Sequence, residues 1–151
     1  MSGAPTGTLT LLGWREWATL PELKIKGIKA KIDSGAKTSA LHAFELRPLQ
    51  HQGRRYIHFK VHPRQRSLQP TITAIAPLVD YRPVRSSNGG EEKRPVIITP
   101  ITLGNLTWPI EITLTNRDSM GFRLLLGRQA LRKQFVIDPG HSFLLGAQTP
   151  N

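Results

Sequence analysis

Apolar residues recur at every second position in several short stretches of this sequence, and this pattern constrains the fold more than any other feature. The clearest stretch covers residues 24–32, where lysines alternate with isoleucines and an alanine. It ends in the turn composition Asp33-Ser34-Gly35-Ala36. A mostly two-residue period is typical of a β-strand with one buried face, and the residues after it favour a turn. The pattern therefore predicts strands separated by turns.

Further strands and one short helix are expected along the chain. Gly104-Asn105 fits a two-residue hairpin loop with glycine at the first central position, as a type II′ turn requires. A buried strand at residues 124–126 runs into Gly127, and residues 128–133 predict one or two helical turns. The other expected strands are residues 39–46, 55–61, 72–79, 96–103, 106–114, 135–137 and 142–145. Many short strands with one short helix near the end favour a small β-barrel or a sandwich.

The length of 151 residues fits a single domain. Residues 8–147 are assigned to this domain, with residues 1–7 and 148–151 as tails. The start of the sequence lacks the basic flank and apolar segment of a signal peptide. No window approaches the ~18 continuous apolar residues of a membrane span. We therefore expect a soluble, cytoplasmic protein without membrane contact.

The composition excludes several kinds of chemistry. The chain has no cysteine, which excludes a disulfide framework, a thiol nucleophile, an iron–sulfur cluster and a cysteine-type zinc site. It contains 21 lysines and arginines against 10 aspartates and glutamates, so the formal net charge is +11. Such a charge attracts polyanions, acidic peptides or anionic membranes, but it does not specify a fold.

Two segments carry the candidate chemistry. In the first, Asp33-Ser34-Gly35-Ala36, an aspartate follows an apolar strand and precedes a hydroxyl residue, a glycine and an alanine. In the second, residues 124–131, an apolar strand breaks at Gly127 into a helix. This pairing resembles the layout of retropepsin-type aspartic proteases over residues 25–145. The resemblance implies an all-β fold, a small closed β-barrel of the retropepsin type with one short helix near the C-terminus.

A closer resemblance rests on three segments that follow one another in the same order. They are KIDSGAKTSALHA at residues 31–43, NRDSM at residues 116–120 and LLGR at residues 125–128. These segments resemble the family labelled ATP-dependent zinc proteases, whose members are often linked with RimK-type ATP-grasp glutamate ligases. The resemblance implies a protease with a functional link to such a ligase.

The chemistry of aspartic proteolysis implies a homodimer. The reaction needs two carboxylates that share one proton and hold a water molecule, because like charges at such a distance do not both ionise. The sequence has one Asp-Ser-Gly, and neither Asp118 nor Asp138 lies in a second copy of it. The working pair must therefore join Asp33 of two chains across a two-fold axis. Asp33 is the candidate catalytic residue, and the expected substrate is a peptide or protein.

The resemblance also implies supporting residues around Asp33. Ser34 is expected to brace the turn by hydrogen-bonding the backbone, and Gly35 to allow substrate to approach closely. Ala36 belongs to the same turn, and Leu126 and Gly127 are expected to pack behind it. Residues 82–94, interpreted as a mobile hairpin or loop, are the candidate flap over the substrate. The candidate flap residues are Arg85, Asn88, Gly89 and Gly90.

The residues assigned to substrate binding are Lys37, Thr38 and Arg128. Viral retropepsins commonly carry an acid where Lys37 stands, and that acid pairs with the arginine after the glycine. Arg128 lacks this partner here, so either another acid such as Asp118 takes it, or Lys37 and Arg128 both face the cleft as anion-binding groups. The second option favours acidic substrates such as glutamate-rich peptides.

Neither word of the family label, zinc or ATP, has a matching motif in the sequence. The sequence contains no His-Glu-x-x-His and no Gly-x-x-x-x-Gly-Lys-Ser/Thr. His58 and His62 are four residues apart in a strand-like stretch, where that spacing separates them by ~13 Å. The sequence therefore predicts no metal and no cofactor in this chain, and any nucleotide dependence would belong to a partner.

Two other functions remain open at this point. A basic nucleic-acid-binding barrel would use pairs of cations as a phosphate-contacting face. These pairs are Arg54-Arg55, Arg64 and Arg66, Arg82 and Arg85, Lys93-Arg94, and Arg132-Lys133. Aromatic residues are only 7% of the chain and are not interleaved with these pairs, so nucleic acid is the less favoured partner. The third function is a catalytically silent dimer that binds acidic peptides.

Overall fold

A computed structural model of the chain describes residues 9–85, 89–116, 121–131 and 134–146. Within these ranges the chain forms eleven strands and one α-helix. The strands are β1 (Thr10–Gly13), β2 (Arg15–Leu20), β3 (Ile25–Asp33), β4 (Ser39–His42), β5 (Phe44–His51), β6 (Arg54–Val61), β7 (Ile72–Arg85), β8 (Glu91–Leu103), β9 (Leu106–Thr115), β10 (Leu124–Gly127) and β11 (Phe135–Asp138). The helix α1 spans Arg128–Leu131, and a 3-10 turn at Pro21–Leu23 joins β2 to β3.

Six strands close a barrel in the order β2, β3, β10, β4, β9 and β8. The barrel closes where β8 returns to β2, with Thr102 opposite Thr19. Strands β7, β6 and β5 extend the sheet beyond β8, and β1 pairs with β11 in a separate parallel ribbon. The prediction of a small closed β-barrel with one short helix near the C-terminus is confirmed.

The alternation in β3 produces a strand with one buried and one exposed face. Ile25, Ile28 and Ile32 are buried, whereas Lys26 and Lys31 are exposed. The buried side chains of the barrel, of β6 and of β7 form one hydrophobic cluster. Its large members include Leu20, Ile28, Leu41, Phe59, Ile97 and Ile112. Because burying one such side chain contributes about 1.5–3 kcal/mol, this cluster is the main stabilising feature of the barrel.

Two hairpins flank the barrel strand β8. Between β8 and β9, Leu103 pairs with Leu106 and Gly104 has a positive φ of 58°, so the two-residue loop is confirmed. Between β7 and β8, paired strand continues outward as far as Arg85 opposite Glu91. The two strands are longer here than the ranges 72–79 and 96–103 expected from the sequence. Both arms are largely exposed there, so no apolar alternation marks them.

Two further sequence-based boundaries differ from the structure. The strand expected at residues 39–46 is divided into β4 and β5, because β4 pairs with β9 and β10 whereas β5 pairs with β6. Residues 142–145 do not form a strand, and backbone N–H groups of Leu144 and Leu145 donate instead to the Glu16 carboxylate. The expected tails, 1–7 and 148–151, lie outside the described residues, so those boundaries stay predictions. Within the described ranges, no helix is long and apolar enough to cross a bilayer.

Candidate active site

Asp33 is the last residue of β3, and its position is fixed by the neighbouring strand. β3 and β10 run parallel, and Asp33 lies opposite Gly127 in their register. Leu126, one position earlier, lies opposite Ile32 and is fully buried. Both strands therefore end at the same edge of the barrel. The turn after Asp33 lies beside the point where β10 passes into α1.

The residues after Asp33 form a tight turn. The backbone N–H of Ala36 donates to the carbonyl oxygen of Asp33 at 3.1 Å. Ser34 and Gly35 are exposed at the tip, while Asp33 itself is half-buried. A Cβ added at Gly35 would lie 3.4 Å from Asp33 Oδ1. Among the described residues, none hydrogen-bonds the Asp33 carboxylate, which leaves its oxygens available to water or to a partner.

Backbone hydrogen bonds from the start of α1 hold this turn from behind. The N–H of Arg128 donates to the carbonyl of Ala36 at 2.8 Å, and the N–H of Gln129 donates to that of Lys37 at 3.1 Å. These bonds involve no side chain. They fix the path of the chain on both sides of Ala36 relative to the end of β10.

Gly127 and Ser39 complete the support. A Cβ added at Gly127 would lie 2.6 Å from the backbone carbon of Thr38, so the two segments approach too closely for any other residue. The N–H of Gly127 donates to Ser39 Oγ at 3.1 Å, in a buried position. Ser39 is a site-supporting residue that the sequence analysis missed. Nothing in the sequence separates this serine from others at the start of a strand, because its hydrogen bond to Gly127 joins residues far apart along the chain.

The Arg128 guanidinium lies against the carbonyl groups of the turn. Its Nη1 donates to the carbonyl of Gly35 at 3.2 Å and reaches that of Ser34 at 3.5 Å. Asp118, the acid considered as its partner in the sequence analysis, lies outside the described residues. The described contact matches neither option of the sequence analysis, because backbone carbonyl oxygens accept hydrogen bonds from the Arg128 guanidinium. Lys37 is exposed beside it.

A cavity of about 420 Å³ flanks the turn on the side of α1. Its lining includes Thr38, Ser39, Trp108, Glu111 and Gln129. The Trp108 indole N–H donates to the carbonyl of Ala130 at 3.0 Å, which ties β9 to the helix. Asp33 does not line this cavity. Thr38, assigned to substrate binding, lies between the cavity and the turn.

The candidate flap residues lie at the end of the β7–β8 hairpin. Arg85 ends β7, and Gly89 and Gly90 precede β8, with Gly89 at a positive φ of 89°. Asn88 lies outside the described residues. The role of this tip as a flap stays a prediction.

Histidine and carboxylate side chains do not gather into groups of three or more metal ligands in the part of the chain that the structure describes. The groups that hold the Asp33 turn are instead backbone N–H and carbonyl groups, the Arg128 guanidinium and the Ser39 hydroxyl, which accepts from the N–H of Gly127. The site is therefore built around a single carboxylate at a braced turn.

Known proteins resemble the chain over most of its length. A family model described as RimB-like, the retropepsin-like aspartic endopeptidase RimB, matches residues 11–148. The chain belongs to the RimB-like family. This membership confirms the retropepsin-like resemblance that the segments around Asp33 and Gly127 indicated.

The curated relatives of this RimB-like chain are much longer than it is. A protein named probable alpha-L-glutamate ligase from Shewanella pealeana is 46% identical over 136 residues, which are 90% of this chain and 30% of that protein. A relative of the same name from Parasynechococcus marenigrum is also 46% identical, over 90% of this chain and 29% of its own length. The chain thus spans about 30% of the curated relatives it matches.

A solved structure shows the same fold. The crystal structure of a Legionella pneumophila protein, described as being of unknown function, matches with a TM-score of 0.77 and 29% sequence identity. The match covers 91% of this chain and 99% of that chain. The two chains therefore share one fold over nearly all of their lengths.

Proposed function

We propose that this protein is an aspartic endopeptidase whose working unit is a homodimer. The observation that carries the proposal is the position of Asp33, in a RimB-like chain, at a turn braced by backbone hydrogen bonds. The carboxylate lies at the edge of the barrel, with no described hydrogen-bond partner. Such a group is available to activate water, because nothing within the described chain occupies it.

The proposed mechanism uses Asp33 and the partner's Asp33 as one acid–base pair. One carboxylate removes a proton from the bound water as its oxygen attacks the peptide carbonyl carbon. The other, protonated, carboxyl donates its proton to the carbonyl oxygen. Collapse of the tetrahedral intermediate then returns a hydroxyl proton to the second carboxylate and expels the amine, which takes up the proton held by the first carboxyl. Because each chain contributes one Asp-Ser-Gly turn, a monomer lacks one half of the pair.

We infer that the substrates are acidic, and specifically glutamate-rich, peptides. Exposed Lys37 lies next to the turn, and the formal net charge of the chain is +11. The longer relatives are named as glutamate ligases, and such an enzyme would produce chains rich in glutamate. An endopeptidase in the same family would cleave those chains. The functional partner would then be an ATP-grasp glutamate ligase.

The decisive experiment replaces Asp33 by asparagine and measures hydrolysis of a glutamate-rich peptide. Asp33→Asn should abolish hydrolysis and leave the thermal unfolding midpoint nearly unchanged. Glu22→Gln, which removes an exposed carboxylate from the 3-10 turn, should retain full activity. If Asp33→Asn cleaves the peptide as fast as the parent chain, Asp33 is not catalytic.

A mixing experiment tests the shared pair separately. Excess Asp33→Asn chains added to a fixed amount of parent chains should suppress hydrolysis, since each mixed dimer has only one intact carboxylate. Unchanged activity in the mixture would contradict the dimer. If the parent chain binds glutamate-rich peptides as a dimer without cleaving them, the silent binding protein is the better description.

A further inference from the structure

A second surface lies on the outer side of β2 and β3, away from the core. Residues on β2 and β3 alternate between the core and solvent, so Arg15 and Trp17 point outward from β2, as do Lys29 and Lys31 from β3. In the register of the two strands, Arg15 lies opposite Lys31 and Trp17 lies opposite Lys29. Cations and an aromatic ring are therefore neighbours on one exposed sheet face.

Two cavities that share lining residues lie on this surface. One, of about 480 Å³, is lined by residues that include Trp14, Arg66 and Phe122. The other, of about 270 Å³, is lined by residues that include Trp17 and Arg64. Lys29 and Gln65 line both. We call this surface the basic–aromatic face and define it by Trp14, Arg15, Trp17, Lys29, Arg64 and Arg66.

The aromatic rings of the basic–aromatic face are held in place by cations and by each other. The Arg15 guanidinium lies 4.7 Å from the centroid of the Trp14 ring, and Lys29 Nζ lies 5.4 Å from that of Trp17. Trp17 also stacks on Phe143, with ring centroids 5.8 Å apart. The stack on Phe143 remains when a base replaces Lys29, so the Trp17 indole stays ordered and base stacking on it costs little ordering entropy.

Among the residues that the structure describes, the cations of the basic–aromatic face form no ion pair. The ion pairs between described residues involve Lys60, Arg82, Arg94 and His141, all outside this face. Of the described residues that line the two cavities, none is an aspartate or glutamate. The face therefore combines positive potential with half-buried indole rings.

We propose that the basic–aromatic face binds single-stranded nucleic acid. Phosphates would contact Arg15, Lys29, Arg64 and Arg66, and bases would stack on the indole rings in place of the cations that now cover them. The displaced cations would then be free to contact the adjacent phosphates. A glutamate-rich peptide supplies the negative charge but no flat group for the indoles, so the aromatic rings favour a nucleic acid. This binding would not involve Asp33.

The sequence argued against such a site because aromatic residues are few and are not interleaved with the basic pairs, of which Arg64 and Arg66 are one. Trp14 and Trp17 precede β3, whereas Arg64 and Arg66 follow β6. The fold brings these segments together, and Gln65 Nε2 fixes the second one by donating to the carbonyl of Gly121 at 2.8 Å.

The charge contribution is tested with the full chain and fluorescein-labelled uridine and thymidine 12-mers, by fluorescence anisotropy. Lys29→Gln with Arg66→Gln should weaken binding at least about tenfold and reduce the slope of log K against log salt by about 1.4, or ~0.7 per lost phosphate contact. Arg47→Gln with Arg54→Gln removes the same charge from exposed positions on β5 and β6 and should change affinity less than about twofold. Equal affinities for the two double variants would overturn the proposal.

The stacking contribution is tested at Trp17 and with an abasic 12-mer. Trp17→Leu should weaken uridine 12-mer binding about tenfold, whereas Trp17→Phe should stay within about threefold, since each stacked base contributes ~1–3 kcal/mol. An abasic 12-mer, which needs no variant, should bind the parent chain at least about tenfold more weakly than the uridine 12-mer. Equal binding of the two 12-mers, or equal competition by a 12-residue polyglutamate, would overturn nucleic acid as the ligand.

Discussion

The Asp33 turn and the basic–aromatic face use the same strand, β3, in different ways. The turn lies at the end of the strand and is held by backbone hydrogen bonds and a close approach at Gly127. The face lies along the strand and consists of side chains whose cations have no described counter-ions. Close backbone contacts therefore restrict which residues the turn accepts. On the face, the property that matters is the summed charge of several side chains. A single substitution should therefore lower the free energy of unfolding more at the turn than on the face.

The largest effect is expected for Gly127→Ala. The new Cβ would lie 2.6 Å from backbone atoms of Thr38 and 2.9 Å from the carbonyl oxygen of Ala36. Backbone atoms cannot move aside without breaking the bonds that hold the turn, so we expect a loss of about 3 kcal/mol or more in the free energy of unfolding. Urea denaturation followed by tryptophan fluorescence measures this loss.

Gly35→Ala is the matched control for that substitution. Its Cβ would lie 3.4 Å from one side-chain oxygen of Asp33, and no backbone atom of another segment is close. The free energy of unfolding should therefore change by less than about 1 kcal/mol. If both glycines tolerate alanine equally, the close approach at Gly127 does not limit the turn.

The next largest effect is expected for Glu16→Gln, beneath the basic–aromatic face. The Glu16 carboxylate is fully buried and accepts three backbone N–H bonds, from Gly13, Leu144 and Leu145. An amide would place an NH₂ group against one of these donors and would lose the negative charge. We expect a loss of about 2 kcal/mol, measured by urea denaturation.

Glu22→Gln is the control, because Glu22 is an exposed glutamate in the 3-10 turn. Its free energy of unfolding should stay within about 0.5 kcal/mol of the parent value. An equal loss at both positions would show that the buried carboxylate does not anchor the segment at residues 144–145.

The part of the site that follows from local sequence was predictable. An apolar strand ending in Asp33-Ser34-Gly35-Ala36 specifies a turn at that point, because aspartate, serine and glycine all favour turns. The resemblance to retropepsin-type proteases implied that Leu126 and Gly127 pack behind it. They lie opposite Ile32 and Asp33 in the register of β3 and β10. Here the local pattern and the packing agree, so the sequence alone is informative.

The part that depends on distant contacts was not predictable. Ser39 and Glu16 look like ordinary strand residues, and their roles appear only when Gly127 and residues 144–145 are placed beside them. The outer part of the β7–β8 hairpin was interpreted as a loop or hairpin because neither face is buried there. The basic–aromatic face joins segments about fifty residues apart. No periodicity within one segment reports such a juxtaposition.

A smaller effect is expected for Ser39→Ala. The substitution leaves the buried N–H of Gly127 without its acceptor and should lower the free energy of unfolding by about 1–2 kcal/mol. Thr38→Ala, at the exposed neighbouring position, should lower it by less than about 0.5 kcal/mol. Both are measured by urea denaturation. Equal losses would mean that the serine hydroxyl does not support the turn.

Arg128→Gln should affect the turn more than the overall stability. Its guanidinium contacts carbonyl oxygens at an exposed position, so the free energy of unfolding should fall by less than about 1 kcal/mol. In the proposed reaction, kcat should fall several-fold and KM should stay within about twofold, because the carbonyl contacts orient the turn. Lys37→Gln, at an exposed lysine, should instead raise KM for glutamate-rich peptides. If Arg128→Gln also raises KM alone, Arg128 binds the substrate.

The smallest effect depends on pH and concerns Asp138, in the turn next to Trp14. The backbone N–H of Gly140 donates to its carboxylate at 2.9 Å, the His141 ring lies 2.7 Å away, and together they lower the pKa of Asp138. A lowered pKa stabilises the fold above the ordinary value of about 4, and this contribution is lost as the pH falls through the folded-state pKa. The difference in unfolding midpoint between the parent chain and Asp138→Asn should therefore be present at pH 7 and shrink below about pH 4. The turn also supports the basic–aromatic face, since the backbone N–H of Trp14 donates to the His141 carbonyl at 2.8 Å. Thermal unfolding from pH 3 to pH 7 measures the difference, and a value independent of pH would mean that ionisation of Asp138 does not stabilise the fold.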